Sequence, residues 1–139
     1  MFAKIVVGVS PEATARAAAR SAAALSRALG AELHLVSAYS EASMENLGTP
    51  LIVTAGDPPE RRRTEQFLSS LPEARLAGAE THALPGAPAR EILRVAKEVE
   101  ADLIVVGDKG MHGARRVLGS VANDVSHGAA CSVLVVKTT

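Results

Sequence analysis

The chain has 139 residues, 47% hydrophobic but only 2% aromatic, with 15 basic and 15 acidic side chains and a net charge of zero. That length makes one domain, 1–139, large enough to bury a core, which must be built from Ala, Val, Leu and Ile. Electroneutrality excludes a global pull toward nucleic acid or an anionic membrane, so any anion must be held locally.

No apolar run approaches the roughly 20 residues of a membrane span, and MFAKIVVGVS is too short in its apolar stretch for a signal peptide. Cys131 is the only cysteine, which excludes an intrachain disulfide and fits a reducing, cytoplasmic location; it reads as a buried structural thiol.

Lys4 to Val9 is a β-branched run too short for a helix and reads as a buried strand. It stops at Ser10-Pro11, where serine suits an N-cap and proline the first helical position. Ala18, Ala22, Leu25 and Leu29 recur at helical spacing, with Arg16, Arg20 and Arg27 on another face, until Gly30 ends the helix. Glu32 to Tyr39 is the second strand, and the crossover between the two should be right-handed.

Ser40 to Pro59 gathers Gly, Pro, Ser, Asn and Glu around one apolar island, Leu51 to Val53, and reads as a loop serving as a lid or a dimer contact. Glu60 to about Leu76 reads as one charged helix. Its Arg61-Arg62-Arg63 triplet lacks interleaved aromatics and is a solvated face rather than a nucleic-acid stripe. Thr81 to Leu84 is a weak edge strand closed by Pro85-Gly86. Pro88 then starts a helix that buries Ala89, Ile92, Leu93, Ala96 and Val99 and exposes an Arg94–Glu98 pair.

Leu103 to Val106 is a fully buried strand. Gly107, Gly110 and Gly113 follow, and Gly119-Ser120 opens a helix carrying Val121, Ala122, Val125 and Ala129. Cys131 to Lys137 is the last buried strand. Five strands alternating with four helices make a single-domain α/β fold, a doubly wound, Rossmann-like parallel sheet.

Glycines let the backbone curve tightly and bring its N–H groups against a ligand, while a helix start offers unpaired donors and a positive dipole end. The loop from Gly107 to Ser120 is therefore a phosphate cradle in outline, or else a plain strand-to-helix connection. Lys109, Arg115 and Arg116 add positive charge to it, and Ser120 either caps the helix or donates its hydroxyl to an anion.

Catalytic and metal sites are not expected. Ser120, Asp124 and His127 share a helix face, but a triad needs the histidine between the other two. Asp108 and His112 fall short of the ligands a dedicated metal site requires; a Mg2+ carried in by a triphosphate, with Asp108 as a supporting acid, fits better. Histidines 34, 82 and 112 are scattered along the chain and read as surface or packing residues.

The stretch GDKGMHGARRVLGS and the tail HGAACSVLVVK resemble the nucleotide-binding branch of the universal stress protein family, whose motif is G-x2-G-x9-G-[ST]. Gly107, Gly110, Gly119 and Ser120 fall on its fixed positions, although eight residues, not nine, separate Gly110 from Gly119. The resemblance extends to GAELHLVSAY, PGAPAREIL and ADLIVVGDKG. It implies a strand order of 3-2-1-4-5, which brings the ends of the first and fourth strands into one crevice. It further implies ATP or another adenine nucleotide, with Mg2+, as ligand. Gly107, Gly110, Gly119 and Ser120 would hold the phosphates, flanked by Met111, Gly113 and Val121, and Val9, Ser10 and Ala38 would line the nucleoside side.

Two positions depart from the family. Ser10 stands where nucleotide-binding relatives carry an aspartate, with Pro11 in place of a glycine, and Asp108 replaces a small neutral polar residue. Losing a charge-assisted hydrogen bond costs about 1.5–3 kcal/mol, roughly ten- to a hundredfold in affinity. A carboxylate beside phosphates repels them unless a cation intervenes or the side chain turns away. The resemblance also implies a stress-response protein that dimerises through strand 131–137 and hydrolyses ATP slowly at most. A nucleotide-independent dimeric interaction protein on the same fold, and a binder of cyclic AMP, are the alternatives.

Overall fold

The computed structural model describes residues 1–11, 15–40, 59–108 and 119–138. In chain order these form β1 (Lys4–Gly8), α1 (Ala15–Leu29), β2 (Glu32–Tyr39), α2 (Pro59–Ser70), α3 (Pro72–Leu76), β3 (Glu80–Pro85), α4 (Pro88–Glu98), β4 (Leu103–Gly107), α5 (Ser120–Gly128) and β5 (Ser132–Val136). The five strands are parallel in the order β3-β2-β1-β4-β5. The order reverses between β1 and β4, so the crevice outside their carboxyl ends is the topological switch point.

Strand alternation divides the core into two layers. Ile5, Val7, Leu33, Leu35, Leu103 and Val105 face α1, α2 and α3, whereas Val6, Val36, Ile104 and Val106 face α4 and α5. Both faces of β1, β2 and β4 are covered, which is why these strands read as mostly apolar runs rather than as alternating ones; β5, expected to be buried, is half-exposed because it is an edge of the sheet. Helix α1 packs on the sheet through buried Ala18, Ala19, Ala22 and Ala23, small side chains that let a nearly aromatic-free chain close its core. Gly30 ends that helix at φ 66°, the left-handed conformation glycine adopts without strain.

Two helix expectations need correction. Residues 60–76 are two helices, not one, because Pro72 cannot continue a helix through Leu71, which is extended at ψ 127°. Arg94 pairs with the buried Glu91 one turn back, not with Glu98. The described part of α1 begins at Ala15, so the expected cap at Ser10-Pro11 falls on a helix start that lies outside the described residues. The loop island Leu51–Val53 lies outside the described residues. The Arg61–Arg63 triplet is exposed as expected, with Arg61 bonded to Glu65 at 3.1 Å.

Asp102 ties the two central strands together at their amino ends. Its carboxylate accepts the backbone N–H groups of Ala3 at 2.8 Å and Lys4 at 3.0 Å. These bonds hold its carboxyl below the usual range, the one from Ala3 contributing most.

Candidate functional site

The parallel ladders align the strand ends. Gly8 pairs with Val36 and Val7 with Val105; continuing those registers sets Ser10 level with Ala38, and Val9 level with Gly107. Four expected site residues thus share the carboxyl edge of three adjacent strands. Val9 is buried and its N–H donates to the Val36 carbonyl at 2.9 Å, prolonging the ladder past β1. Ser10, Ala38 and Gly107 are half-buried. The floor of the crevice is tight: a Cβ on Gly8 would meet the Ile92 side chain of α4 at 2.4 Å.

Gly119 is the N-cap of α5, at φ −59° and ψ 155°, and it brings no side chain to the helix start. Ser120 is the first helical residue and is exposed, while Val121 is half-buried against the α4 side of the core. Because Gly119 occupies the cap, Ser120 does not cap the helix. The first intrahelical bond is from Asn123 N–H to Gly119 O, which leaves the preceding N–H groups of the turn without helical acceptors. Helix α5 leads into β5 at the amino edge of the sheet, where Ser132 pairs with Leu103. Its N-terminus therefore lies toward the carboxyl edge, where the phosphate cradle is expected. Gly110, Met111 and Gly113, with Lys109, His112, Arg115 and Arg116, lie outside the described residues.

Asp108 is buried and turned toward the end of β5. Its Oδ1 accepts the Thr138 backbone N–H at 2.8 Å and the Thr138 hydroxyl at 2.7 Å. The hydroxyl bond above all holds the carboxyl below the usual range. Of the two arrangements the sequence leaves open for this acid, the side chain has turned away. Only Oδ1 is taken by Thr138; Oδ2 is buried and has no hydrogen-bond partner among the described residues.

Ser120, Asp124 and His127 are all exposed on α5, and among the described residues no hydrogen bond joins them. Cys131 is half-buried, and burial raises its thiol above the ordinary value, so it stays protonated at neutral pH. It lines a cavity of about 670 Å³ with Leu93, Arg94, Lys97 and Ala101. That cavity opens at the amino ends of β4 and β5, away from the switch point.

One grouping escaped the sequence reading. His34 and His82 are not scattered: β2 and β3 bring His34 Nδ1 to 3.0 Å from His82 Nε2, and Glu32 Oε1 lies 2.9 Å from His34 Nε2. Glu80, directly across the ladder from His34, places Oε2 3.5 Å from His34 Nδ1. Burial, and next the neighbouring His34, lower the pKa of His82. The signal in the sequence was a histidine inside an otherwise apolar strand, together with an acid–x–histidine pattern in both Glu32–His34 and Glu80–His82.

Residues 1–137 match the model of the universal stress protein family, and the chain belongs to that family. Among curated relatives, a universal stress protein of Methanocaldococcus jannaschii is 52% identical over 58 residues, 41% of this chain and 34% of that protein. YxiE of Bacillus subtilis is 48% identical over 60 residues, 42% of this chain and 40% of its own length. These alignments span well under half of each relative. Solved structures cover far more. A universal stress protein in complex with cAMP matches 99% of this chain and 98% of its own at 28% identity and a TM-score of 0.67. The Archaeoglobus fulgidus protein in complex with dAMP covers 96% and 97% at 27% identity and a TM-score of 0.62.

Proposed function

We propose that this chain binds an adenine nucleotide, ATP in particular, across the carboxyl ends of β1 and β4, and that occupancy serves as a state signal in a stress response. The observation that carries the reading is the start of α5. A side-chain-free N-cap and an exposed Ser120 present unpaired donors and a positive dipole end toward the switch point. Gly107, Gly110, Gly119 and Ser120 hold the phosphates, with Met111, Gly113 and Val121 beside them, and Val9, Ser10 and Ala38 contact the nucleoside. The cAMP and dAMP complexes of similar proteins support the adenine preference.

Mg2+ would enter with the triphosphate, with Asp108 as a supporting acid through its unpaired Oδ2. Any hydrolysis is slow, since catalysis needs a positioned base to activate water and the site as read assigns none. The protein acts in the cytoplasm as a homodimer joined along β5. Calorimetric titration of nucleotide-free protein with ATP and Mg2+, AMP and cyclic AMP tests the reading, and saturable ATP binding is its expected outcome.

A second reading is favoured by two observations. Leu134 is 38% exposed on β5, an edge of the sheet, and Ser10 removes the acid that relatives offer the nucleoside. On that reading the chain is a dimeric interaction protein independent of nucleotide. A cyclic AMP binder, needing a single phosphate in the cradle, is the remaining alternative, and the cyclic AMP arm of the titration separates it.

A further inference from the structure

We propose that Glu80, His34 and His82 form a binding site for a divalent transition-metal ion of the Zn2+ class, bridging the edge strand β3 to β2. Three potential ligand atoms, one from each residue, lie within 4.8 Å of one another. The two shortest separations are 3.0 Å between His34 Nδ1 and His82 Nε2 and 3.5 Å between His34 Nδ1 and Glu80 Oε2. Zinc bonds of about 2.0–2.1 Å in tetrahedral geometry place neighbouring ligands roughly 3.3 Å apart. Two edges of such a coordination shell are thus already in place, and the third, between Glu80 and His82, is within 4.8 Å.

Register explains why. His34 and Glu80 are direct partners on parallel strands, and Val36 is paired with His82. The side chains at 34, 80 and 82 thus emerge on one face, the face of Val36 that α4 covers. Two imidazoles and one carboxylate with a fourth position left for water is a donor set that zinc takes readily.

The surroundings favour metal over a plain histidine pair. The Glu32 carboxylate accepts the His34 Nε2–H at 2.9 Å, which leaves the Nδ1 lone pair directed at His82 and Glu80. This is the carboxylate–histidine arrangement that orients a ligand and raises its basicity. His34 is only 1% exposed, so packing fixes its ring before any ion arrives. The site opens to solvent through Glu80, whose side chain is 66% exposed. An ion there would pin an edge strand whose only ladder partner among the described residues is β2.

The test uses the full chain, freed of metal with a chelator that is then removed. Zn2+ affinity is measured by competition with a chromophoric chelator, and Co2+ serves as a spectroscopic probe. The expected result is one Zn2+ per chain, a visible Co2+ absorption of four-coordinate type, and a rise in melting temperature with Zn2+. Glu80→Gln and His82→Gln should each weaken Zn2+ at least roughly tenfold. Both positions are partly or largely exposed, and circular dichroism verifies their folding. Nucleotide affinity, at the opposite ends of the strands, should not change in either variant. Absence of Zn2+ binding by the folded protein, or binding equally tight in both variants, overturns the proposal.

Discussion

Asp108 and Thr138 are joined by two hydrogen bonds to one carboxylate oxygen, from the Thr138 N–H at 2.8 Å and its hydroxyl at 2.7 Å. The acid that follows Gly107 is thereby committed to the end of β5. Repulsion of a nucleotide phosphate by Asp108 is correspondingly reduced, and Asp108→Asn should change ATP affinity little. Titrating both proteins checks this, and a gain of tenfold or more in the variant would mean that the carboxylate does face the ligand.

Gly119→Asp separates binding from folding. Aspartate is a favoured N-cap, and the cap angles of φ −59° and ψ 155° suit any residue, so stability should hold or rise by a few tenths of a kcal/mol. The same carboxylate would occupy the donors offered to phosphate and repel it. Chemical denaturation should show an unchanged or higher midpoint while ATP binding is lost.

Gly8→Ala should destabilise the protein by about 1–3 kcal/mol, the usual cost of overpacking. The new methyl would lie 2.4 Å from Ile92 Cδ1 and 3.2 Å from Cγ1. Trimming the partner with Ile92→Val removes the nearer atom, so the double variant should regain part of the loss. Urea unfolding of the two single variants and the double variant measures the coupling directly.

Asp102 gives the stability a pH dependence of known sign. Its pKa is lowered in the folded state by the Ala3 and Lys4 N–H groups. The stabilisation is therefore present above the unfolded carboxylate value of about 3.9 and is lost as pH falls through the lower folded value. Asp102→Asn should be less stable than wild type at neutral pH, and the gap should close in acid. Melting temperatures from neutral pH down to about pH 3 would show it; a gap that is constant with pH would rule the linkage out.

Leu134→Lys should break a dimer built on β5. The strand is a sheet edge and Leu134 projects from it 38% exposed; a lysine there is the usual guard against edge pairing. Sedimentation analysis should give a dimer for wild type and a monomer for the variant, with the circular dichroism unchanged.

Most of the fold was legible because buried parallel strands leave a plain record. The runs around Ile5, Leu35 and Ile104 are apolar on both faces, and Pro88 and Gly30 punctuate the helices that cover them. Glu32–Tyr39 was bounded correctly for that reason. The break at Leu71-Pro72 was overlooked because the charged pattern continues across it. Glu91 was not expected in the buried face of α4, since its burial depends on Arg94 and on the open space at Gly86, where φ is 139° and an added Cβ would meet Glu91 at 2.6 Å. The contact of His34 with His82 depends on which strands are neighbours and in what register; the acid–x–histidine pattern marks each strand but does not say that the two meet. The candidate site was legible in its glycines and in Ser10, but the direction of Asp108 was set by Thr138, thirty residues away.

The most direct test of the central claim is a calorimetric titration of stripped protein with ATP and Mg2+, run in parallel on wild type and Gly119→Asp. The account predicts saturable micromolar binding at one site per chain in wild type and none in the variant. No heat up to millimolar ATP from folded wild type, or equal binding by the two proteins, would contradict it.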